Sequence, residues 1–318
     1  MLVARAHLVH SALGNAKRGG ASAGANGAAG VLRKSLSGKA NKLNNNIFYL
    51  EQGTGRPLLL VHGWALHGGF FWPQLEALRQ HFRIVTPDLT GHGGSSGAPG
   101  PFTIQRLADD LHSLLERLGV SEVLAVGWSM GAMVLWDLMA RHGAQRFAGL
   151  VVVDMTPRVL NAGDWQLGLA GYDADADAQL RSAMWRDWAN HTASFAPRIC
   201  ARGLQKERHA IIERAANQMA ANAPDAMADL WASMVAQDYR TVLRSIRVPV
   251  LIAHGALSQL YPAETAEYLF AQIPDACRIA FPRSGHAPHL EEPERFNLAI
   301  EEFAASLEGA GRRQTART

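Results

Sequence analysis

The sequence predicts an α/β fold, a mostly parallel sheet with helices on both faces and a helical cap inserted late in the chain. Three observations carry this. Short apolar runs bounded by turn residues alternate with stretches of helical spacing in the first half and again toward the C-terminus. From about Met155 to Arg244 the alternation stops, leaving helical segments and no strong strand. Finally, the apolar run that starts at Val123 ends abruptly in Gly127-x-Ser129-x-Gly131, and a helical pattern follows at once.

Taken in order, residues 1–45 are rich in Gly, Ala, Ser and Asn and are expected to form a disordered tail. Ile47–Gln52 and Leu58–Val61 read as strands joined by the turn Gly53-Thr-Gly55. Trp72–Gln80 has helical spacing, Phe82–Thr86 is strand-like, and Asp88–Ser96 is a glycine-rich turn. Ile104–Leu118 reads as an amphipathic helix leading into the strand that begins at Val123. Ala132–Ala140 follows as a helix and Gly149–Val153 as a buried strand. After the interruption come a strand at Val248–His254, a helix at Ala263–Ile273, a strand at Cys277–Phe281 and a helix at Pro293–Leu307. The expected organisation is therefore a core of 46–154 and 245–308, a cap of 155–244 and a flexible C-terminal tail of 309–318.

With 318 residues, 48% of them hydrophobic and 19% charged, the chain is long and apolar enough to bury a large core. Its net charge of +3 conceals an asymmetry: residues 1–50 hold seven of the 31 basic residues and no acid, which leaves 24 basic against all 28 acidic residues beyond them. No basic stripe interleaved with aromatics is present, so nucleic acid is not an expected partner. Cys200 and Cys277 lie far apart in neither a redox nor a metal spacing, which suits reduced thiols in a cytoplasmic protein. No run approaches the roughly 18 residues of a membrane span. Metal and nucleotide motifs are missing as well, so no cofactor is expected.

The chemistry centres on Ser129. A serine on a tight strand-to-helix turn is exposed and strained, and its neighbours must be small because strand and helix pass close by; Gly127 and Gly131 meet that need. The helix that follows aims its free amides at this point, so the Met130 amide is one expected donor to a developing oxyanion. A serine hydroxyl needs a general base, and 13 histidines compete for that role. His286, in Ser284-Gly-His286-Ala-Pro-His289 just after the last strand, lies where sheet order puts a base beside Ser129. His289 is the nearest rival, whereas His62, His92 and His254 sit in turns that favour local hydrogen bonding.

Four motifs, H-G-W at 62–64, D-x-x-G-H-G-x-S at 88–95, G-W-S-M-G at 127–131 and S-G-H-A-P-H at 284–289, occur in the order found in the α/β-hydrolases. The chain resembles that superfamily over about residues 46 to 308, and within it the pimeloyl-carrier-protein methyl esterases, carboxylesterases and carbon–carbon bond hydrolases. The resemblance implies an α/β-hydrolase fold, a Ser-His-acid triad and a second oxyanion-hole amide at Trp64. It places the acid in the loop after Val248–His254, but Ser258 stands there instead of an aspartate. Some relatives carry the acid after the strand that follows the elbow helix, where this chain has Asp154. Asp154 is accordingly the expected orienting acid, with Ser258 or a water-linked dyad as the alternative.

The cap holds four of the eight Trp and five of the nine Met, which suits an adaptable apolar acyl pocket. The methyl esterases are thought to hold an acidic carrier protein with cap arginines, and this cap has Arg181, Arg186, Arg198, Arg202, Arg208 and Arg214, interleaved with acids. The expectation is a serine carboxylic-ester hydrolase acting on a small-molecule ester of small to medium acyl length, with an acyl carrier protein as a second partner. A carbon–carbon bond hydrolase and a weakly catalytic ligand sensor are the competing classes.

Overall fold

The computed structural model describes residues 39–42 and 47–315, with side chains through Glu308. Strands β1 (Lys39–Lys42), β2 (Phe48–Gln52), β3 (Arg56–Val61) and β4 (Phe82–Pro87) precede β5 (Val123–Trp128), β6 (Phe147–Val153), β7 (Val250–Gly255) and β8 (Ala276–Phe281). They form one eight-stranded sheet in the order β1-β2-β4-β3-β5-β6-β7-β8. The β1–β2 and β2–β4 pairs are antiparallel, and every pair from β4 to β8 is parallel. Most of the expected tail lies outside the described residues. Lys39–Lys42, inside that stretch, forms the edge strand β1.

Composition explains the layering. All six residues of β5 are buried, as expected for a central strand covered on both faces. The covering helices are α1 (Trp72–Ala77), α2 (Ile104–Leu118) and α3 (Met130–His142) in the first half. In α2 the residues Ile104, Leu107, Ala108, Leu111, Leu114 and Leu115 share one buried face; each large aliphatic side chain so buried contributes roughly 1.5–3 kcal/mol. Thr103 caps its start by accepting from the Arg106 amide at 3.2 Å, and Gly119 at φ 60° ends it.

Between β6 and β7 the chain is helical: α4 (Ala174–Arg186), α5 (Trp188–Phe195), α6 (His209–Ala220), α7 (Pro224–Val235) and the short α8 (Arg240–Leu243). Asp173 and Asp187 cap α4 and α5, and Pro224 opens α7, where its missing N–H costs nothing. The chain then closes with α9 (Ala263–Gln272), α10 (Pro288–Glu291) and α11 (Pro293–Thr315), the last running beyond the expected end at Leu307.

The strand order places the site. From β3 the sheet grows one way through β4 and the other way through β5, so the crevice beyond the carboxyl ends of β3 and β5 is a topological switch point, where open α/β sheets bind ligands. His62-Gly63-Trp64 leaves β3 there, and Ser129 leaves β5.

Candidate active site

At the end of β5 the backbone turns sharply into α3, and Ser129 takes φ 54° and ψ −124°, a region that costs a non-glycine residue on the order of 1–3 kcal/mol. Backbone hydrogen bonds and close packing hold it there. The Ser129 amide donates to the Val153 carbonyl at 3.0 Å, tying the turn to β6, and the Ala132 amide donates to Ser129 O at 2.8 Å. A Cβ at Gly127 would lie 2.6 Å from Ala132 Cα, and one at Gly131 would run into the Val61 carbonyl. Small residues at both positions are thus a steric requirement of the turn.

Asp154 ends β6 at φ 43°, with its amide donating to Ala253 O at 2.9 Å. Its Oδ2 lies 2.7 Å from His286 Nδ1, and both side chains are 4% exposed. The Ser258 hydroxyl donates to the same Oδ2 at 2.9 Å and accepts from the Leu260 and Tyr261 amides at 3.3 and 3.4 Å. The structure therefore brings Ser258 to the carboxylate, with the carboxylate between it and the imidazole. A carboxylate oxygen accepts, which puts the imidazole proton on Nδ1 and leaves the Nε2 lone pair for the pocket. Glu264, the next acid in sequence, is exposed in the first turn of α9.

The His286 loop is anchored from two sides. Trp128 Nε1 donates to the His286 carbonyl at 2.7 Å, and Glu291 Oε1 accepts from the Gly285 amide at 2.7 Å. Glu291 Oε2 also accepts from the Ala201 amide at 2.7 Å, and burial pushes its carboxyl up to about 7. His289 is fully buried against Phe71 and Trp128, which holds its imidazole well below the usual range.

The β3 loop owes its shape to two neutral histidines. Burial drives His62 well below its ordinary value and His92 down to about 4. His62 Nε2 accepts from the Leu89 amide at 2.9 Å while Nδ1 donates to Gly63 O at 2.8 Å; His92 Nε2 accepts from the Ala65 amide at 3.1 Å. Asp88 adds acceptors for the Gly68 and Gly94 amides, each at 2.8 Å. The backbone at Gly63 passes close to the elbow: a Cβ there would come within 3.2 Å of Ser129 Cβ. Gly63, Trp64 and Ser129 line one pocket, and Met130 is the first residue of α3.

One pocket is lined by Ser129, His286, Trp64 and Trp128, together with Phe195, Trp231 and Met234 from the segment between β6 and β7. The Trp64 indole donates to the Met227 carbonyl at 2.9 Å and meets Trp231 edge-on at 5.0 Å, so one residue both shapes the loop and seats the helices above it. Of the six arginines singled out from the sequence, Arg181 pairs with Asp177, Arg208 faces Glu291, and Arg214 stacks 4.3 Å above the Trp72 ring. Arg198 sits over Phe195, and Arg186 and Arg202 are exposed.

Sequence reasoning missed three residues. Tyr261 lines the pocket, Trp128 holds the His286 carbonyl, and Glu291 joins the His286 loop to Ala201. Trp128 lies within the elbow motif and Tyr261 three residues past the unoccupied acid position, so each had a positional signal. Among the described residues no group of three or more His, Cys, Asp and Glu side chains is placed to hold a metal ion. No helix of the described residues is long and apolar enough to cross a membrane.

The model of the alpha/beta hydrolase fold family matches residues 56–293. The pimeloyl-[acyl-carrier protein] methyl ester esterase of Aromatoleum aromaticum is 33% identical over 256 residues, covering 77% of this chain and 96% of the relative. That of Nitrosospira multiformis is 31% identical over 269 residues, covering 80% and 97%. Among solved structures, a bromoperoxidase from Bacillus anthracis superposes with a TM-score of 0.77 at 25% identity, covering 84% of this chain and 99% of that one.

Proposed function

The chain belongs to the α/β-hydrolase fold family, and we propose that it is a serine carboxylic-ester hydrolase working through an acyl-enzyme, with Ser129, His286 and Asp154 as its triad. The observation that carries this reading is the 2.7 Å contact of His286 Nδ1 with Asp154 in a pocket that Ser129 and His286 share. The class of substrate is supported by the relatives, whose names specify the methyl ester of a pimeloyl-carrier protein. The apolar pocket wall suits an acyl chain of small to medium length, with the insertion of 155–244 acting as its cap. The exposed Arg186 and Arg202 supply cations for an acidic carrier.

In the first half-reaction His286 Nε2 takes the Ser129 proton as Oγ attacks the ester carbon. Charge builds on the carbonyl oxygen, and the amides of Trp64 and Met130 receive it. Each such donor is worth about 2.7–4 kcal/mol of transition-state stabilisation. Asp154 fixes the imidazole tautomer and stabilises its cation. His286 then protonates the departing alcohol, and water hydrolyses the acyl-enzyme by the same steps reversed.

A p-nitrophenyl ester series from acetate to palmitate tests the reading. The wild type should show an optimum at short or medium chains, and Ser129→Ala should lose it by at least about 10⁴-fold. Turnover that survives in Ser129→Ala removes the mechanism. Turnover confined to a vinylogous diketone would assign the pocket to carbon–carbon bond cleavage.

A further inference from the structure

Tyr261 is the polar group of the pocket that this mechanism leaves unused. Its side chain is buried, 7% exposed, and lines the pocket with Ser129 and His286. The phenol ring lies 5.7 Å from the imidazole between centroids. Its hydroxyl donates to Met155 Sδ at 3.2 Å. Burial first, and then the charge of Asp154, push the phenol up, so it keeps its proton throughout the working range.

Two features separate Tyr261 from a tyrosine that only fills space. A thioether is a weak acceptor, so the phenolic proton is held loosely and readily turns to a stronger acceptor nearby. The phenol also lies beside the imidazole in the pocket it shares with Ser129, where an alcohol must leave to collect its proton from Nε2. The position follows from the same loop that brings Ser258 to Asp154. Ser258 Oγ accepts from the Tyr261 amide at 3.4 Å, so the turn that supports the carboxylate also aims the phenol.

We propose that Tyr261 is a further catalytic residue, whose hydroxyl turns from Met155 to donate a hydrogen bond to the leaving alcohol oxygen. This rests on the ester-hydrolase reading above. As the Ser129 Oγ–C bond forms, its proton passes to His286 Nε2 and the carbonyl π pair moves onto oxygen. The oxyanion pair then re-forms the carbonyl of the acyl-enzyme as the C–O bond to the alcohol breaks, that bond's electron pair goes to the alcohol oxygen, and that oxygen takes the proton from Nε2. Tyr261 transfers nothing; it steadies the charge on that oxygen while the bond opens. The benefit is greatest where charge stays on one atom, as in methoxide, and smallest where it spreads, as in p-nitrophenolate. The specificity implied is for esters of simple, poorly leaving alcohols.

The test compares kcat/KM, which reports acylation, for the methyl and p-nitrophenyl esters of one acyl chain in the wild type and Tyr261→Phe. The methyl ester should lose about 30-fold and the p-nitrophenyl ester about threefold, a shift of about tenfold in their ratio. Equal losses would make Tyr261 a packing residue, and no loss would make it a bystander; either overturns the proposal. Labelling by a fluorophosphonate reports whether the variant keeps a folded, reactive Ser129. If Tyr261→Phe does not fold, a leaving-group series on the wild type decides: a shallow dependence on alcohol pKa supports the proposal and a steep one overturns it. A wild type that hydrolyses neither ester and resists the fluorophosphonate would instead sink the ester-hydrolase reading.

Discussion

Asp154 ends its strand with φ at 43°, a conformation that aspartate tolerates better than most side chains, and this twist brings its carboxylate within 2.7 Å of His286. Ser258 spends its hydroxyl on the same oxygen, so in the proposed triad it supports the acid and does not replace it. Asp154→Asn should therefore lower kcat by about 10⁴-fold, since an amide favours the wrong imidazole tautomer. Ser258→Ala should cost only about tenfold, one hydrogen bond to a charged group. Steady-state kinetics on a single ester checks both, and the reverse order would shift the orienting role to Ser258. The candidates Ser129 and His286 were legible because each stands in a local motif at a strand end. Tyr261 and Trp128 had only their positions to mark them, because the contacts that give them a role, to Met155 and the His286 carbonyl, lie far away in sequence.

The loop after β3 shows how an element is set by groups outside it. Its Ala65 amide donates to His92 Nε2 from the loop after β4, and burial holds that imidazole down at about 4. The unfolded chain binds this proton near 6.5, so between about 6.5 and 4 it holds more protons than the folded chain. The stability that neutral His92 contributes is present above 6.5 and is lost as the pH falls through that window. His92→Gln retains an acceptor without titrating. Thermal melts from pH 7.5 to 4 should show the wild type losing ground to this variant by up to about 3 kcal/mol; a difference that stays flat would mean His92 is charged in the folded protein. Buried strands such as β5 were legible from their unbroken apolar runs. β1 was not, because Lys-Ala-Asn-Lys is a mostly exposed edge strand with no hydrophobic face to betray it. The extension of α11 to Thr315 was hidden too, because Gly309 and Gly311 read as a stop and no apolar stripe continues beyond Leu307.

At the scale of the molecule, the helices between β6 and β7 are joined to the sheet through residues that also build the site. Asn222 donates to Ala65 O at 2.8 Å, the Arg202 amide to Leu257 O at 3.0 Å, and the Ala201 amide to Glu291 at 2.7 Å. The sheet-and-helix alternation was readable in the sequence, whereas these clamps, made largely by backbone groups, leave no residue pattern to read. Because Trp231 closes the pocket from this layer, Trp231→Ala should move the ester optimum toward longer acyl chains while costing about 3–5 kcal/mol of stability. An unchanged optimum in the p-nitrophenyl series would mean the acyl chain lies elsewhere. The central claim is that Ser129, activated through His286 and Asp154, is the group that takes the acyl chain. Its most direct measurement is peptide-mapped mass spectrometry after exposure to a fluorophosphonate, with wild type and Asp154→Asn followed over time. One adduct is expected, on Ser129, formed far more slowly in Asp154→Asn; an adduct on another residue, or equal rates in the two proteins, would overturn the proposed triad.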